Sequence, residues 1–304
     1  MEALMLKSLA QKVKTIIKFA LQHLGLINYA QKIRMLPYRD RKEFTVTLNG
    51  ITVRFSTQDE YSKSWFFPRY AGRRIHERVV TEMLIEALQS ARCFVDVGTN
   101  LGWYTCVAAM QMPGGIVYGF EMDDLNFALL EKNIAINNCP NVEVYNLALS
   151  DSSGVVSYKR DENRPNPGFY IDVNTKDENS TGVMSVNSVT LDEFLQGKEA
   201  VPDVIKIDVE GAEMNVLMGM RQTLINYMPV LFLEIHPSNL NYFKTSTSAI
   251  LSFLIESGYQ VFEIEDLRLQ EAIRRLKPLL PDSMINGNAM VYATTAQESS
   301  TNAA

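Results

Sequence analysis

Apolar residues along the chain fall into short uninterrupted runs that are separated by helical patterns. Phe94, Val95 and Val97 form one such run, which is typical of a strand buried on both faces of a sheet. Repetition of this pattern predicts an α/β fold. The predicted strands lie near 94–97, 116–120, 142–147, 155–158, 183–189, 204–208, 230–236, 259–264 and 289–293, and the predicted helices lie near 78–88, 124–138, 191–195, 213–217 and 247–257. In the helix near 124–138, the expected buried side consists of Phe127, Leu130, Ile134 and Ala135. Thr190 is the expected N-cap of helix 191–195, and Glu193 would complete a capping box.

Two further patterns precede this α/β region. Residues 3–28 place apolar side chains on one helical face and most lysines on another, which predicts an amphipathic helix. Such a helix could dock on its own domain, contact a partner or lie on a membrane surface. Residues 44–55 alternate apolar and polar side chains around Asn49-Gly50. That dipeptide between two such runs predicts a β-hairpin.

The chain is therefore predicted to have three parts. Residues 1–74 form an extension with the helix and hairpin, residues 75–295 form the α/β domain, and residues 296–304 form a flexible polar tail. The stretch from Lys159 to Gly182 is rich in Asn, Asp, Pro and Gly. A loop of this length is commonly functional or disordered, and we expect it to cover the substrate side of a site.

Composition narrows the class of protein. With 304 residues, of which 46% are hydrophobic and 21% charged, the chain is globular and can hold one α/β domain with additions. A net charge of −6 argues against a nucleic-acid binder. Cys93, Cys106 and Cys139 lack metal-binding spacing and indicate reduced thiols. Lysines interrupt the apolar runs near the start, so we expect a cytoplasmic protein, with membrane-peripheral attachment left open to the first helix.

The first candidate site is the turn that follows strand 94–97. Gly98 permits a tight turn, and Gly102 would let the next helix approach a ligand. Asp96 and Glu121 stand near the carboxyl ends of two neighbouring strands, where open α/β sheets bind ligands. A dinucleotide site needs a third glycine around its pyrophosphate. The ribose and charged tail of S-adenosylmethionine instead suit two acids. The alternative is an ordinary βαβ unit.

A second polar group follows two later strands. Asp208, at the end of strand 204–208, alternates with Glu210, and Glu234 alternates with His236 on the expected neighbouring strand, so their side chains could converge. His236 is the best base by its ordinary pKa, and Asp208 could orient or replace it. A divalent ion could use this group, but nothing in the spacing requires one, and no metal is predicted. The alternative is that His236 caps the strand while the acids solvate a loop.

An arginine cluster lies around the start of the helix near 78–88. Its members are Arg69, Arg73, Arg74 and Arg78. A solvated charged face explains such a cluster, and so does a patch that faces the phosphate of a nucleotide-sugar or phosphorylated acceptor. The sequence leaves both interpretations open.

These motifs, in this order, resemble the FkbM-type S-adenosylmethionine-dependent methyltransferases. The resemblance spans residues 75–295 and rests on segments 94–105, 120–121, 147–151, 189–192, 205–213 and 234–237. It implies the class I methyltransferase (Rossmann-like) fold, with a mostly parallel seven-stranded sheet whose last strand is antiparallel. It also implies O-methylation of a hydroxyl on a sugar, lipid-linked glycan or related natural product, so the expected partner is a small-molecule or glycan acceptor. Thr99 and Met122-Asp123 depart from the commoner pattern without removing a required group.

The resemblance also assigns residues to two sides of one site. The residues implied to bind the cofactor are Asp96, Gly98, Asn100, Gly102, Glu121 and Ala148. Within this set, Glu121 would hold the ribose hydroxyls and Ala148 would face the adenine. The residues implied as catalytic, on the acceptor side, are Asp208, Glu210, Glu213 and His236. Glu213 has a structural alternative, because an acid in a first helical turn complements the helix dipole.

Two other classes of function stay open at this point. One is a nicotinamide-dependent oxidoreductase on a similar sheet, against which the missing third glycine counts. The other is a non-catalytic scaffold that retains the fold without turnover, against which the full set of acids and histidine counts.

Overall fold

The computed structural model describes residues 40–67, 75–160, 169–170, 183–265 and 273–295. Within them the chain forms two compact units, residues 40–44 with 56–67 and residues 45–55 with 75–295. The predicted amino-terminal helix, the tail at 296–304 and most of the stretch from 159 to 182 lie outside the described residues. The predicted domain boundary between residues 74 and 75 stays a prediction.

Strands and helices alternate through much of the described chain, except for five consecutive strands between residues 142 and 189. The described strands are β1 (Glu43–Leu48), β2 (Ile51–Ser56), β3 (Cys93–Val97), β4 (Ile116–Phe120), β5 (Val142–Tyr145), β6 (Ala148–Leu149), β7 (Gly154–Arg160), β8 (Phe169–Tyr170), β9 (Val183–Val189), β10 (Val204–Ile207), β11 (Val230–Ile235), β12 (Gln260–Ile264), β13 (Leu276–Pro278) and β14 (Ala289–Thr294). The described α-helices are α1 (Arg78–Ala87), α2 (Trp103–Gln111), α3 (Asp124–Asn137), α4 (Leu191–Phe194), α5 (Glu213–Gly219), α6 (Arg221–Tyr227) and α7 (Thr247–Glu256).

An eight-stranded sheet with the order β13-β12-β14-β11-β10-β3-β4-β5 forms the core of the second unit. Strands β5, β4, β3, β10 and β11 are parallel, whereas β14 is antiparallel to both β11 and β12. The predicted mostly parallel sheet with an antiparallel last strand is confirmed. The additional strand β13 was not predicted. It spans three residues at the sheet edge and contains Pro278, so it lacks a strand pattern.

The strand order reverses between β3 and β10, and every residue of both strands is buried. Beyond the strands, the Asp208 backbone N–H donates to the Val97 carbonyl at 2.9 Å. Gly98 has φ +78°, and a Cβ atom there would lie 1.9 Å from the Asp208 carbonyl oxygen. Glycine is therefore required at position 98, because the two chain segments touch through their backbones. This contact places Asp208 beside the glycine turn, at the switch point where open sheets bind ligands.

A smaller four-stranded sheet has the order β6-β9-β7-β8. Its antiparallel pair β7 and β9 confirms the strands predicted near 155–158 and 183–189. The strand predicted at 142–147 requires correction, since β5 ends at Tyr145 and its side chains are only partly buried. The reason is that β5 is an edge strand, and the chain leaves the large sheet so that Ala148 and Leu149 can pair with β9.

Helix α3 buries a different face from the one that its apolar residues predict. The prediction named Phe127, Leu130, Ile134 and Ala135 as the buried side, but Ala135 is exposed and the buried residues are Asn126, Leu130 and Asn133. The Asn133 side chain is accommodated by a polar contact that a hydrophobic pattern does not register. The Asn133 side-chain amide donates to the Leu101 carbonyl at 2.8 Å, which ties α3 to the glycine turn.

The hairpin predicted around Asn49-Gly50 is confirmed as β1 and β2, and both turn residues have positive φ. Asn137, at the end of α3, pairs with one residue of β2 as a neighbouring strand would. Its side-chain oxygen accepts from the Arg54 backbone N–H at 2.8 Å, and its side-chain nitrogen donates to the Arg54 carbonyl at 2.7 Å. Both backbone polar groups of Arg54 are thereby satisfied by one side chain.

The predicted N-cap of α4 and the predicted free cysteines are both found in the structure. The Thr190 hydroxyl accepts from the Glu193 backbone N–H at 3.0 Å, which confirms the predicted N-cap of α4. The Glu193 carboxylate accepts a hydrogen bond from Ser153, which the predicted capping box did not include. All three cysteines are unpaired and buried. In the described part of the chain, no helix combines the length and apolar character that crossing a bilayer requires.

Candidate active site

A cleft opens at the carboxyl ends of β3, β4 and β10, with a volume of about 740 Å³ including its open mouth. Six of the residues assigned by sequence lie in its wall: Gly98, Asn100, Glu121, Ala148, Asp208 and Glu210. Asp96, Gly102, Glu213 and His236 are not in the wall and lie behind or beside it. After the roles expected from the sequence, we call Asp96, Gly98, Asn100 and Glu121 the cofactor side, and Asp208, Glu210, Glu213, Glu234 and His236 the acceptor side.

Glu121 on the cofactor side is held by backbone groups. One carboxylate oxygen accepts from the Asn100 N–H at 2.7 Å, and the other accepts from the Asp123 N–H at 2.9 Å. Burial raises the pKa of Glu121 to about 7, although the two amide donors oppose the shift. The carboxylate is therefore fixed in place at the cleft wall, and its charge changes near neutral pH.

Asp96 is buried behind the glycine turn with one oxygen satisfied. The Thr105 hydroxyl donates to Asp96 Oδ2 at 2.6 Å. Asp96 Oδ1, the Thr99 hydroxyl and the Asn126 side-chain nitrogen are buried and have no hydrogen-bond partner among the described residues. Burial raises the pKa of Asp96, while the charge of Lys206 lowers it. Unpaired buried polar atoms carry a free-energy cost, and Asn126 lines the cleft itself, so these atoms indicate groups that a ligand could satisfy.

Gly102 has a role that differs from the expected close approach to a ligand. It adopts φ +91°, and a Cβ atom there would lie 2.6 Å from the Leu130 side chain. The glycine therefore lets the start of α2 pack against α3. It supports the cleft from behind instead of lining it.

The acceptor side brings its five predicted side chains into one group around the buried imidazole of His236. Nδ1 of His236 lies 2.7 Å from Glu213 Oε1. Nε2 faces three other carboxylates, at 3.8 Å from Asp208, 3.6 Å from Glu210 and 3.7 Å from Glu234. The predicted convergence of acids and histidine beyond the strand ends is thus observed in the geometry.

The environment of His236 differs from the one expected for a base with an ordinary pKa. Burial alone would lower the pKa of His236, but its hydrogen bond to Glu213 and the charges of the other carboxylates raise it to about 10. At neutral pH this imidazole is therefore protonated, so it cannot accept a proton from a hydroxyl group. Burial likewise raises the pKa of Glu234 well above its usual value.

Lys206 is a functional candidate that the sequence reasoning missed. It lies in the middle of buried strand β10, and its ammonium is 3.3 Å from Asp208 Oδ2 and 4.9 Å from the centre of the Tyr104 ring. Burial alone would lower the pKa of Lys206, but nearby carboxylates raise it above its usual value. It lowers the pKa of Asp208 in turn and keeps that carboxylate ionised. A lysine inside the four-residue run Val-Ile-Lys-Ile was the available signal, since buried lysines are rare unless paired.

The arginine cluster reaches the described residues only at Arg78. Its guanidinium bonds to Glu82 at 2.9 Å, one turn further along α1. This is a half-buried pair at helical spacing, of the kind that stabilises a helix locally. The other three arginines lie outside the described residues.

The strand order, the antiparallel last strand and a cleft at the switch point together define a Rossmann-like α/β protein of the class I methyltransferase type. Sequence comparison places the chain more narrowly. The family model of the methyltransferase FkbM domain matches residues 96–261, more than half of the chain, and the chain belongs to this family. The resemblance stated from the motifs is thereby confirmed.

Individual relatives are more distant. The chain is 29% identical over 201 residues to hexuronic acid methyltransferase AglP of Haloferax volcanii, covering 64% of this chain and 75% of that protein. It is 27% identical over 164 residues to methyltransferase sdnD of Sordaria araneosa, covering 45% of this chain and 63% of that protein. A solved structure of methyltransferase FkbM from Methylobacillus flagellatus shares 16% identity at a TM-score of 0.42, covering 67% of this chain and 43% of that chain.

Proposed function

We propose that this protein is an S-adenosylmethionine-dependent O-methyltransferase that acts on a hydroxyl of a sugar, glycan or related natural product. One observation carries the proposal. Asp208 lines the same cleft as Glu121 and also belongs to the acid and histidine group around His236. A site for a ribose-bearing ligand and a site for handling a hydroxyl are therefore continuous. The similarity to a hexuronic acid methyltransferase supports a sugar as acceptor.

The polar atoms of the cofactor side fit S-adenosylmethionine in their chemistry. Glu121 is a carboxylate in the cleft wall, suited to ribose hydroxyls, and Asp96 Oδ1 is a buried acceptor without a partner among the described residues. The Asn126 nitrogen is a buried donor in a residue that lines the same cleft as Ala148, and it suits an acceptor atom of adenine. No third glycine widens the turn for a diphosphate. This set matches a ligand with a ribose, a base and an ammonium group but no phosphate.

The chain's own residues would mainly position the reactants. When bound, S-adenosylmethionine would supply an electrophilic methyl group, and displacement at that carbon depends on alignment with the attacking oxygen. Lys206 keeps the Asp208 carboxylate ionised at the cleft wall, where it can accept the hydrogen of a hydroxyl and orient the oxygen. Glu210 offers a second acceptor in the same wall. Glu213 and His236 lie behind these two and hold the group together through charge.

The first experiment is calorimetric titration of the full chain with S-adenosylmethionine and S-adenosylhomocysteine. We expect binding in the micromolar range, and we expect Glu121→Ala to weaken it at least tenfold, since the substitution removes the carboxylate that would hold the ribose hydroxyls. Glu131→Ala is the matched control, because it removes an exposed glutamate of α3 away from the cleft wall.

Either outcome is informative. If Glu121→Ala alone weakens binding, screening of glycans, uronic acids and nucleotide-sugars for methyl acceptance follows. If neither ligand binds to the folded protein, the proposed function fails and a non-catalytic scaffold becomes the better interpretation.

A further inference from the structure

The side chains around His236 have the composition and spacing of a divalent-cation site. One ligand atom from each of Asp208, Glu234 and His236 lies within 4.8 Å of the other two. Glu210 Oε2 lies 3.6 Å from the same imidazole nitrogen. We propose that Asp208, Glu234 and His236 bind a divalent cation, with Glu210 as a further oxygen ligand. This inference deepens the proposed function, because the cation would lie on the acceptor side of the cleft.

The distances match what a cation needs with a small contraction. A divalent ion that holds ligands at about 2.1–2.3 Å, at roughly right or tetrahedral angles, separates neighbouring ligand atoms by about 3.0–3.5 Å. His236 Nε2 lies 3.8 Å from Asp208 Oδ1 and 3.7 Å from Glu234 Oε1. These gaps exceed a hydrogen bond, so the nitrogen and the oxygens face one another without a direct bond. Contraction of these two distances by a few tenths of an ångström would bring the nitrogen and each oxygen into that range.

The orientation of the imidazole supplies an independent observation. The His236 side chain is only 3% exposed, and Glu213, which is fully buried, takes its Nδ1. The Glu213 carboxylate is itself held by the Gly211 backbone N–H at 2.9 Å. A buried carboxylate on Nδ1 holds that nitrogen as a hydrogen-bond donor and turns Nε2 toward the other acids, where a cation would take the place of the Nε2 proton. This arrangement of carboxylate, histidine and open nitrogen is the one that orients histidine ligands in metal sites.

The net charge of the side chains around His236 also favours the binding of a cation. Four carboxylates, on Asp208, Glu210, Glu213 and Glu234, surround two basic side chains, Lys206 and His236. Even with both cations charged, the group carries an excess of negative charge in a partly buried position, and buried charges in proteins are paired or bind metals. Lys206 contacts Oδ2 of Asp208 and leaves Oδ1 directed at His236. The lysine therefore supports Asp208 without occupying the proposed site.

The place of the site gives the cation a chemical role. Asp208 and Glu210 both line the cleft, so an ion bound to them would be within reach of a hydroxyl in that cleft. A divalent cation lowers the pKa of a hydroxyl that it contacts and offers a route for removing the proton.

Binding of Mn²⁺ tests the inference without methyl donor or acceptor. The full chain is treated with EDTA, freed of the chelator, and titrated with MnCl₂ while the electron paramagnetic resonance signal of free Mn²⁺ is recorded. We expect one ion per chain with a Kd below about 1 mM. Glu234→Gln, which does not touch the cleft wall, should weaken binding at least tenfold, and Glu213→Gln should weaken it about 10- to 100-fold by loosening the imidazole. Glu131→Gln should leave binding unchanged.

Binding of S-adenosylhomocysteine and far-ultraviolet circular dichroism on the same samples separate the possible failures. If Glu234→Gln does not fold, Asp208→Asn provides the second test of the same ion. Absence of Mn²⁺ binding at 1 mM in the folded wild-type chain, or equal binding by both folded ligand variants, would overturn the inference. The group would then be an imidazolium held by carboxylates alone. Because cofactor binding is measured separately, loss of the cation site would not be mistaken for loss of the proposed function.

Discussion

The two sides of the cleft hold their acids by different means. On the cofactor side, Glu121 accepts from two backbone N–H groups and Asp96 accepts from a hydroxyl. On the acceptor side, Asp208 and Glu234 have no backbone donor among the described contacts, and their closest charged neighbours are Lys206 and His236. One side is therefore fixed by backbone donors and a hydroxyl, and the other by charges that two stretches of chain, residues 206–213 and residues 234–236, bring together.

This difference predicts how each side responds to change. Hydrogen bonds from a turn depend on the shape of that turn and survive changes in distant charges. A group of buried charges is strongly destabilised when its positive or its negative member is removed, because the remaining buried charges are then uncompensated. Substitutions that remove a charge should therefore affect the acceptor side most. Substitutions that replace a glycine should have their main effect where the two sides meet, at the backbone contact between Gly98 and Asp208.

The largest effect is expected from Lys206→Met. Removing this buried ammonium leaves Asp208 and its neighbours without a compensating charge, which should lower the free energy of unfolding by about 3–5 kcal/mol. Urea denaturation measures the change. Lys198→Met is the matched control, because Lys198 also contacts a carboxylate, at 2.9 Å from Glu143, and an aromatic ring, at 4.9 Å from the centre of Tyr118, but lies at the surface. It should cost no more than about 1 kcal/mol. Equal losses of unfolding free energy in the two variants would show that the buried Lys206 adds no more stability to the acceptor side than a surface ion pair does.

A smaller effect is expected where the two sides meet. Gly98→Ala would place a methyl group against the Asp208 carbonyl and force β3 and β10 apart beyond Val97. Gly197→Ala is the control, since it has nearly the same φ, +80° against +78°, with nothing within 4 Å of its Cβ position. Both variants carry the cost of a left-handed alanine, about 1–2 kcal/mol.

Gly98→Ala should lose an additional 1–3 kcal/mol or so through overpacking. It should also weaken binding of S-adenosylhomocysteine, which Gly197→Ala should leave intact. Thermal unfolding and calorimetry measure the two quantities. If the two alanine variants have the same stability loss and the same affinity, the backbone contact between Gly98 and Asp208 contributes to neither quantity.

The smallest effect concerns the pH dependence of the cofactor side. Burial raises the pKa of Glu121 from 4.5 to about 7, so the carboxyl group loses its charge as the pH falls below 7. The affinity for S-adenosylhomocysteine should therefore rise about tenfold from pH 6 to pH 8, since the ionised fraction rises from about a tenth to about nine tenths. Calorimetry across this range measures the change. Glu121→Gln should flatten the dependence, whereas Glu131→Gln should not.

The contribution of Glu121 to the stability of the ligand-free protein should change with pH in the opposite direction to the affinity. The folded state binds the Glu121 proton more tightly than the unfolded state, so this group stabilises the fold below pH 4.5 and loses that contribution as the pH rises to about 7. The difference in unfolding free energy between wild type and Glu121→Gln isolates this contribution. Affinity and stability that rise together with pH would contradict the assignment to Glu121.

The features predicted well from sequence are those encoded in contiguous residues. The hairpin follows from Asn49-Gly50, and β3 with its turn follows from an apolar run ending in glycine. The convergence of Asp208, Glu210, Glu234 and His236 could also be predicted, because alternation on neighbouring parallel strands needs only their order.

The features that were missed depend on residues far apart in the chain. Nothing local to Asn133 indicates that its amide will meet the Leu101 carbonyl, so the apolar pattern of α3 named the wrong face. The position of Lys206 inside a buried strand becomes understandable only when Asp208 and Tyr104 are placed beside it. The protonated state of His236 likewise required all four carboxylates in position, whereas its ordinary pKa suggested a base.

The pairing of Asn137 with Arg54 has a consequence for association between molecules. A two-stranded hairpin has an open edge on each strand, and an open edge can recruit a strand from another copy of the chain. At Arg54 a side chain from α3 occupies both backbone groups that an incoming strand would use. One asparagine thus blocks edge-to-edge growth at that position and protects the protein from aggregation there without lengthening the hairpin or adding charge.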